Sequence, residues 1–450
     1  MYFFVYLIIN NTNKQEIIGG FKMDLGNFLY NFIRAKEPLE IIMQWEIYNE
    51  ITKDYKLIAT SEKYHKDIVY PEGLGSILNQ KNTDFVSYFM SEKIFFLDNS
   101  ILQMMLQNSN VHIPYDYSIM LDTNYTSYIE TFLKKFNASE FTEGSIYKTL
   151  DSLLRNNFNY DYTFYLLENY KNLFSSGKEM FTISNPKHLA VYENLYYLEL
   201  FKSINQQSYI NGNEIEFMIS ENEAKQRTDE LINIFYKTNN KDKLKVFIDM
   251  HQNITLLLIG IWQIQFSSKA SAKNKMKMLF EFVINKVGIY YERELITAFK
   301  YFENTQSIGM LNKINKGGNQ EGLLERIENI AWDFLVPRVM EFQININKEK
   351  FFFIPLFLSH DKKLKELIRL FKIKGVLLNK ENKEYIPISD LNTTQFFEER
   401  GLLDSLERLK SEEVMAKRAR VREENINTNF EIINTEIEKL TQLLDGNKEK

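Results

Sequence analysis

The chain has 450 residues, with 55 Lys and Arg against 60 Asp and Glu, for a formal charge of −5. That balance excludes a polybasic chain that grips its partner by bulk charge. With 44% hydrophobic and 14% aromatic residues, a mainly disordered chain is excluded as well. The sequence has no cysteine, which removes disulfides, thiolate metal sites and thiol nucleophiles. His65, His112, His188, His251 and His360 form no HxH or HExxH pair. Any metal would therefore be held by oxygen, and carboxylates are plentiful.

The segment Met1 to Ile9 (MYFFVYLII) lacks the basic start and small-residue cleavage site of a signal peptide. It is too short to span a bilayer, which takes roughly 20 residues as a helix, and reads as a buried strand. Asp24 is placed to cap a helix running through Arg34, and Pro38 opens another over Leu39 to Tyr48. Gly73-Leu74-Gly75 is too short a signal for a nucleotide loop. Phe85 to Asn99 carries aromatics at helix-like spacing.

Tyr117 to Leu121 (YSIML) is a short apolar strand ending in Asp122-Thr123-Asn124, and helical periodicity begins directly afterwards at Tyr128-Ile129. Asn185 followed by Pro186 makes an N-cap and a first helical position. Further helices are expected over Glu223–Tyr236, Asp242–Gln265, Met276–Val287 and Glu292–Phe302. The apolar run Ile254 to Ile264 inside the second of these reads as a core helix rather than a membrane span. Phe351 to Leu358 (FFFIPLFL) reads as a buried strand weakened by Pro355, followed by a helix at Leu364–Phe371 and a strand at Gly375–Leu378. The order of elements predicts an α/β core carrying a large helical insertion.

From Asn392 the chain is helical and charged. Ile426, Phe430, Ile433, Ile437, Leu440 and Leu444 step by 4, 3, 4, 3, 4, as an a/d seam does. A homodimer or a partner protein could assemble through 426–444, or the same stripe could cover the chain's own domain. The cluster Lys417, Arg418, Arg420 and Arg422 lies among glutamates and reads as a salt-bridged face.

An acid at the C-terminal end of a parallel strand has the address at which α/β sheets place their sites. Asp122 has it, and so does Asp361, after FFFIPLFLSH and before a helix. If the two strands are neighbours, both carboxylates meet at one sheet edge. Close uncompensated acids are unfavourable unless protonated or bridging a cation, which points to a hard divalent ion. Asn124 is placed to hydrogen-bond Asp122 or a bound water.

These residues resemble the PIN-domain ribonucleases. IMLDTN, ending at Asn124, is similar to the family's first motif, and FLSHDKKLKELI, Phe357 to Ile368, to its last. The family also places acids on two intervening helices. Glu193 in AVYENLYYL and Asp333 in ENIAWDFLVPRVMEF resemble those, with Glu168 in FYLLENY and Glu341 as rivals.

The resemblance implies a PIN-like parallel sheet core over 111–391 with a helical insertion at about 205–320. An N-terminal region (1–110) and a charged helical tail (392–450), both mainly helical, flank it. It implies an endoribonuclease in which Asp122, Glu193, Asp333 and Asp361 hold Mg²⁺ or Mn²⁺ and hydrolyse a phosphodiester, RNA rather than DNA; the want of a signal peptide or a spanning segment reads as cytoplasmic. A role as toxin or antiphage effector is part of the same expectation. Substrate phosphates need cations. Lys269, Lys273, Lys275 and Lys277 form one candidate patch, and Lys362, Lys363 and Lys365 another. The competing expectation is a non-enzymatic helical interaction protein that assembles through its C-terminal seam.

Overall fold

A computed structural model describes residues 15–61, 74–78, 84–91, 93–107, 113–136, 144–170, 181–236, 238–346, 352–382 and 384–445. The strand expected over Met1 to Ile9 lies outside them. Helices α1 (Gln15–Arg34) and α2 (Pro38–Ile47) precede strands β1 (Tyr55–Thr60), β2 (Phe85–Ser87) and β3 (Ile94–Leu97). Next come β4 (Tyr115–Leu121), α3 (Thr123–Lys135), β5 (Tyr160–Asp161) and α4 (Thr163–Glu168). A long helical stretch holds α5 (Pro186–Lys202), α6 (Glu221–Tyr236), α7 (Thr238–Ser267), α8 (Ala272–Phe282), α9 (Glu292–Glu303) and α10 (Leu323–Ile346). After it stand β6 (Phe352–Leu358), α11 (Lys362–Arg369), β7 (Ile373–Asn379), β8 (Tyr385–Ser389) and α12 (Glu412–Asp445).

The strands form two four-stranded sheets. One has the order β2-β6-β4-β5, with β4 parallel to both β6 and β5 and β2 antiparallel to β6. The other, β3-β1-β7-β8, is antiparallel throughout. Every residue of β6 is buried, as a strand covered on both faces requires. Pro355 lies within this interior strand opposite Ser118, and its carbonyl accepts from the Tyr88 N–H at 3.4 Å. Leu121 pairs with Leu358, so β4 and β6 leave the sheet at the same level. That register brings together two chain segments separated by the whole helical stretch.

Local signals set several helix starts. Pro38 is at the first position of α2, where the Glu37 N–H donates to Glu40 Oε2 at 3.2 Å. The Asn185 side chain accepts from the Lys187 N–H at 3.0 Å and opens α5. Two expectations are corrected. Asp24 does not cap a helix: α1 already begins at Gln15, and Asp24 is exposed in its middle. Phe85 to Asn99 holds not one helix but β2 and β3, whose residues are all buried. With aromatics covered on both faces of a strand, the spacing carries no face preference and mimics a helical period.

The strand expected at Gly375–Leu378 forms as β7, but it pairs with β1 in the second sheet. Residues on the two sides of position 110 thus share one sheet. The tail folds back as well. Ile433, Leu440 and Leu444 of α12 are buried, and Gln263 of α7 donates to the Glu436 carbonyl at 2.7 Å. Ile426 and Phe430 stay 57% and 61% exposed, so only the C-terminal half of the heptad stripe is spent on this packing. Of the basic cluster, Arg418 is buried and donates to the Leu409 carbonyl at 3.2 Å. Among the described residues one stretch, Leu244–Ser267, is long and apolar enough to cross a membrane, and 61% of its most apolar 18-residue window is buried inside the protein.

Candidate active site

The site begins where β4 and β6 end. Asp122 follows β4 in extended conformation and its N–H donates to the Leu358 carbonyl at 3.1 Å, continuing the ladder one step beyond the strands. The next residue on the β6 side, Ser359, donates its hydroxyl to Asp122 Oδ2 at 2.7 Å. The same hydroxyl accepts from the Asp361 N–H at 3.1 Å. One serine therefore ties the two strand-end acids together. Asp361 caps α11: its Oδ1 accepts from the Lys363 N–H at 2.7 Å and the Leu364 N–H at 3.4 Å.

Two helices bring further acids. Glu168 ends α4, the short helix that follows β5, and accepts a hydrogen bond from the Thr123 hydroxyl. Asp333 lies on α10. The Lys313 ammonium sits between the last two acids, with Nζ 3.0 Å from Asp361 Oδ2 and 3.7 Å from Asp333 Oδ2. Lys313 belongs to a single turn of 3-10 helix, Leu311–Lys313, between α9 and α10.

The electrostatics follow from burial of like charges. Burial, then the neighbouring Asp122 charge, pushes the Glu168 carboxyl up to about 7, against the Thr123 hydrogen bond. Burial pushes Asp333 well above the carboxylate range; Lys313 opposes this, while Glu168, Asp122 and Asp361 add to it. Asp122 is raised by burial despite Ser359, the Asn124 amide and the N–H groups that open α3. Asp361 goes the other way. Burial raises it, but Lys313 and the α11 N–H groups outweigh that and leave it below the usual value. The side chains of Asp333, Asp361 and Lys313 keep 24%, 30% and 33% of their surface open, so the cluster is reachable from solvent.

Of the four acids expected from the sequence, the structure thus couples Asp122, Asp333 and Asp361, and the fourth member is Glu168. Glu193 is exposed on α5, with its neighbour Asn194 donating to the Tyr165 hydroxyl at 3.1 Å. Glu341 is buried elsewhere, paired with Arg293 and accepting from the Tyr88 hydroxyl at 2.7 Å. Asn124 supports Asp122 as expected. Lys269, Lys273 and Lys277 are exposed. Lys275 is not: it is buried, its Nζ 2.9 Å from Gln265 Oε1, and drops out of that patch. Lys362 and Lys363 are exposed on the first turn of α11, beside Asp361.

Sequence reasoning missed Ser359, Thr123 and Lys313 as parts of the site, and Asp84 beside it. Asp84 lies just before β2; its carbonyl accepts from the Ser359 N–H at 2.9 Å. Its carboxylate meets Lys365 Nζ at 2.8 Å, His360 Nδ1 at 3.0 Å and the Tyr125 hydroxyl. Burial raises Asp84, but these three partners outweigh it and hold its carboxyl below the usual range. That pairing spends Lys365 on the wall of the site rather than on a ligand.

With the side chains as they stand, no three carboxylate or imidazole groups among the described residues converge closely enough to hold a metal ion. The donor chemistry nevertheless suits one. Three of the four carboxyls are raised, and the position between Asp333 and Asp361 already holds a cation, the Lys313 ammonium. A hard oxygen-seeking ion fits such a set. Comparison with known proteins finds no matching family model, no matching curated protein and no matching solved structure.

Proposed function

We propose that this chain is a metal-dependent PIN-like endoribonuclease that hydrolyses phosphodiester bonds. The observation that carries the reading is that Asp122 and Asp361, at the ends of neighbouring parallel strands and linked through Ser359, lie within electrostatic reach of Glu168 and Asp333 in a cluster open to solvent. Asp122, Glu168, Asp333 and Asp361 are the residues to hold Mg²⁺ or Mn²⁺. Such an ion, when bound, supplies Lewis acidity toward water and the phosphate.

The chain's own residues do the rest. Ser359 fixes the orientation of Asp122 against the cap of α11, and Thr123 holds Glu168 toward it. In the metal-free chain the Glu168 carboxyl lies near 7, and a cation bound beside it would favour the ionised form that acts as a ligand. Lys362 and Lys363 stand exposed where a nucleic-acid phosphate would approach. The competing reading, assembly through 426–444, has less support because Ile433, Leu440 and Leu444 are already buried within the chain.

The test is cleavage of single-stranded RNA, and of DNA in parallel, with Mn²⁺. Asp122→Asn should lower the rate more than about 100-fold, beyond the ~10–100-fold typical of losing an outer-shell partner of a metal ligand. Equal cleavage by wild type and variant would sink the reading.

A further inference from the structure

We infer that Lys313 is a tethered counter-ion: its ammonium occupies the cation position of the acid cluster, and a divalent ion has to displace it to bind. The inference rests on the metal-site reading above and concerns how that site is controlled.

The geometry at Asp361 is the starting point. One oxygen, Oδ1, is committed to the N–H groups of Lys363 and Leu364 as the helix cap. The other, Oδ2, is the oxygen left for a cation, and Lys313 Nζ already sits on it at 3.0 Å. The same ammonium is 3.7 Å from Asp333 Oδ2. An ammonium at that distance and a divalent ion at its much shorter bond length (~2.1 Å for Mg²⁺) cannot share those oxygens. Among the described residues no three acid groups stand close enough to hold a metal ion, and Lys313 lies between two of the four carboxyl groups.

Lys313 is built to leave without unfolding its surroundings. Its turn is anchored through Leu311, which is fully buried and whose carbonyl accepts from the Trp262 indole N–H at 3.0 Å. The Lys313 side chain itself keeps 33% of its surface open. It also borders a cavity of ≈ 230 Å³ lined in part by Asn315, Asn319, Gln320 and Arg326. The Arg326 guanidinium is committed to the carbonyls of Asn319 and Glu321. A lysine swung into this cavity therefore finds amide oxygens nearby and a guanidinium that is already occupied. In the metal-free chain the ammonium offsets part of the buried negative charge.

The measurement is Mn²⁺ affinity, read from the loss of the free-ion EPR signal on titration with the full chain, with thermal unfolding as the check on folding. Lys313→Met should bind Mn²⁺ about fivefold more tightly than wild type, the upper end of what one partly exposed ion pair is worth. Lys313→Arg, which keeps the charge, should bind it no more tightly than wild type. Unchanged affinity in Lys313→Met overturns the inference, as does equal tightening by Met and Arg, which would make the effect one of packing. Asp122-dependent RNA cleavage together with unchanged Mn²⁺ affinity in Lys313→Met overturns the counter-ion role alone. Failure of wild type and every variant to bind Mn²⁺ overturns the metal site and the counter-ion role together.

Discussion

Replacing Glu168 by Gln keeps the shape of the side chain and its ability to accept from Thr123, but removes a carboxyl that burial and Asp122 raise from 4.5 to about 7. Below pH 4.5 the group is protonated in both the folded and the unfolded chain and contributes no difference. Between 4.5 and about 7 only the unfolded chain ionises it, so unfolding becomes more favourable as pH rises. Above about 7 the cost is complete. At about 1.36 kcal/mol for each pH unit, that interval amounts to about 3 kcal/mol. The wild type should therefore lose stability between pH 5 and pH 8 in metal-free buffer. Glu168→Gln should lose about 3 kcal/mol less, because Asp333 and Asp122 still titrate upward in both proteins. Urea unfolding at half-unit pH steps, with EDTA present, reads this difference directly. Parallel stability profiles for the two proteins would refute the argument that Glu168 is a buried, charge-coupled member of the cluster.

Two further outcomes test the frame around the site. Arg293→Met leaves the Glu341 carboxylate buried without its counter-ion while the Tyr88 hydroxyl still donates to it, and should cost about 3–5 kcal/mol in chemical denaturation. The double change with Glu341→Gln should recover more than half of that. Leu440→Ala, at a fully buried position of α12, should cost about 2–5 kcal/mol. Ile426→Ala, at a position 57% exposed, should stay within about 0.5 kcal/mol. Equal effects at the two positions would mean that the whole stripe, rather than its C-terminal half, is buried in solution.

The strand-end acids were legible because their signals are local. YSIML followed by Asp122, and FFFIPLFL followed shortly by Asp361, each carry an apolar strand, a turn residue and a helix start within about a dozen positions. The same holds for the α5 start at Asn185-Pro186. Glu168 and Glu193 were not separable on that basis. Each sits inside an apolar helical stretch, and only the docking of α4 after β5, against the end of β4, turns Glu168 inward while Glu193 stays exposed on α5. Phe85 to Asn99 misled for a related reason: residues buried on both faces erase the alternation that marks a strand.

By itself, then, the sequence determined that any metal chemistry here falls to carboxylates, since cysteine is absent and histidine sparse, and that two of them stand at strand ends. Only the tertiary structure decided that those strands are parallel neighbours in register, that Ser359 joins their acids, and that Lys313 reaches between Asp333 and Asp361. The physical reason is range. Strand ends and caps are written in a few adjacent residues. Pairing across a long helical insertion, and the charge that a distant loop delivers to a buried acid cluster, depend on how the whole chain packs and leave no periodic mark in it.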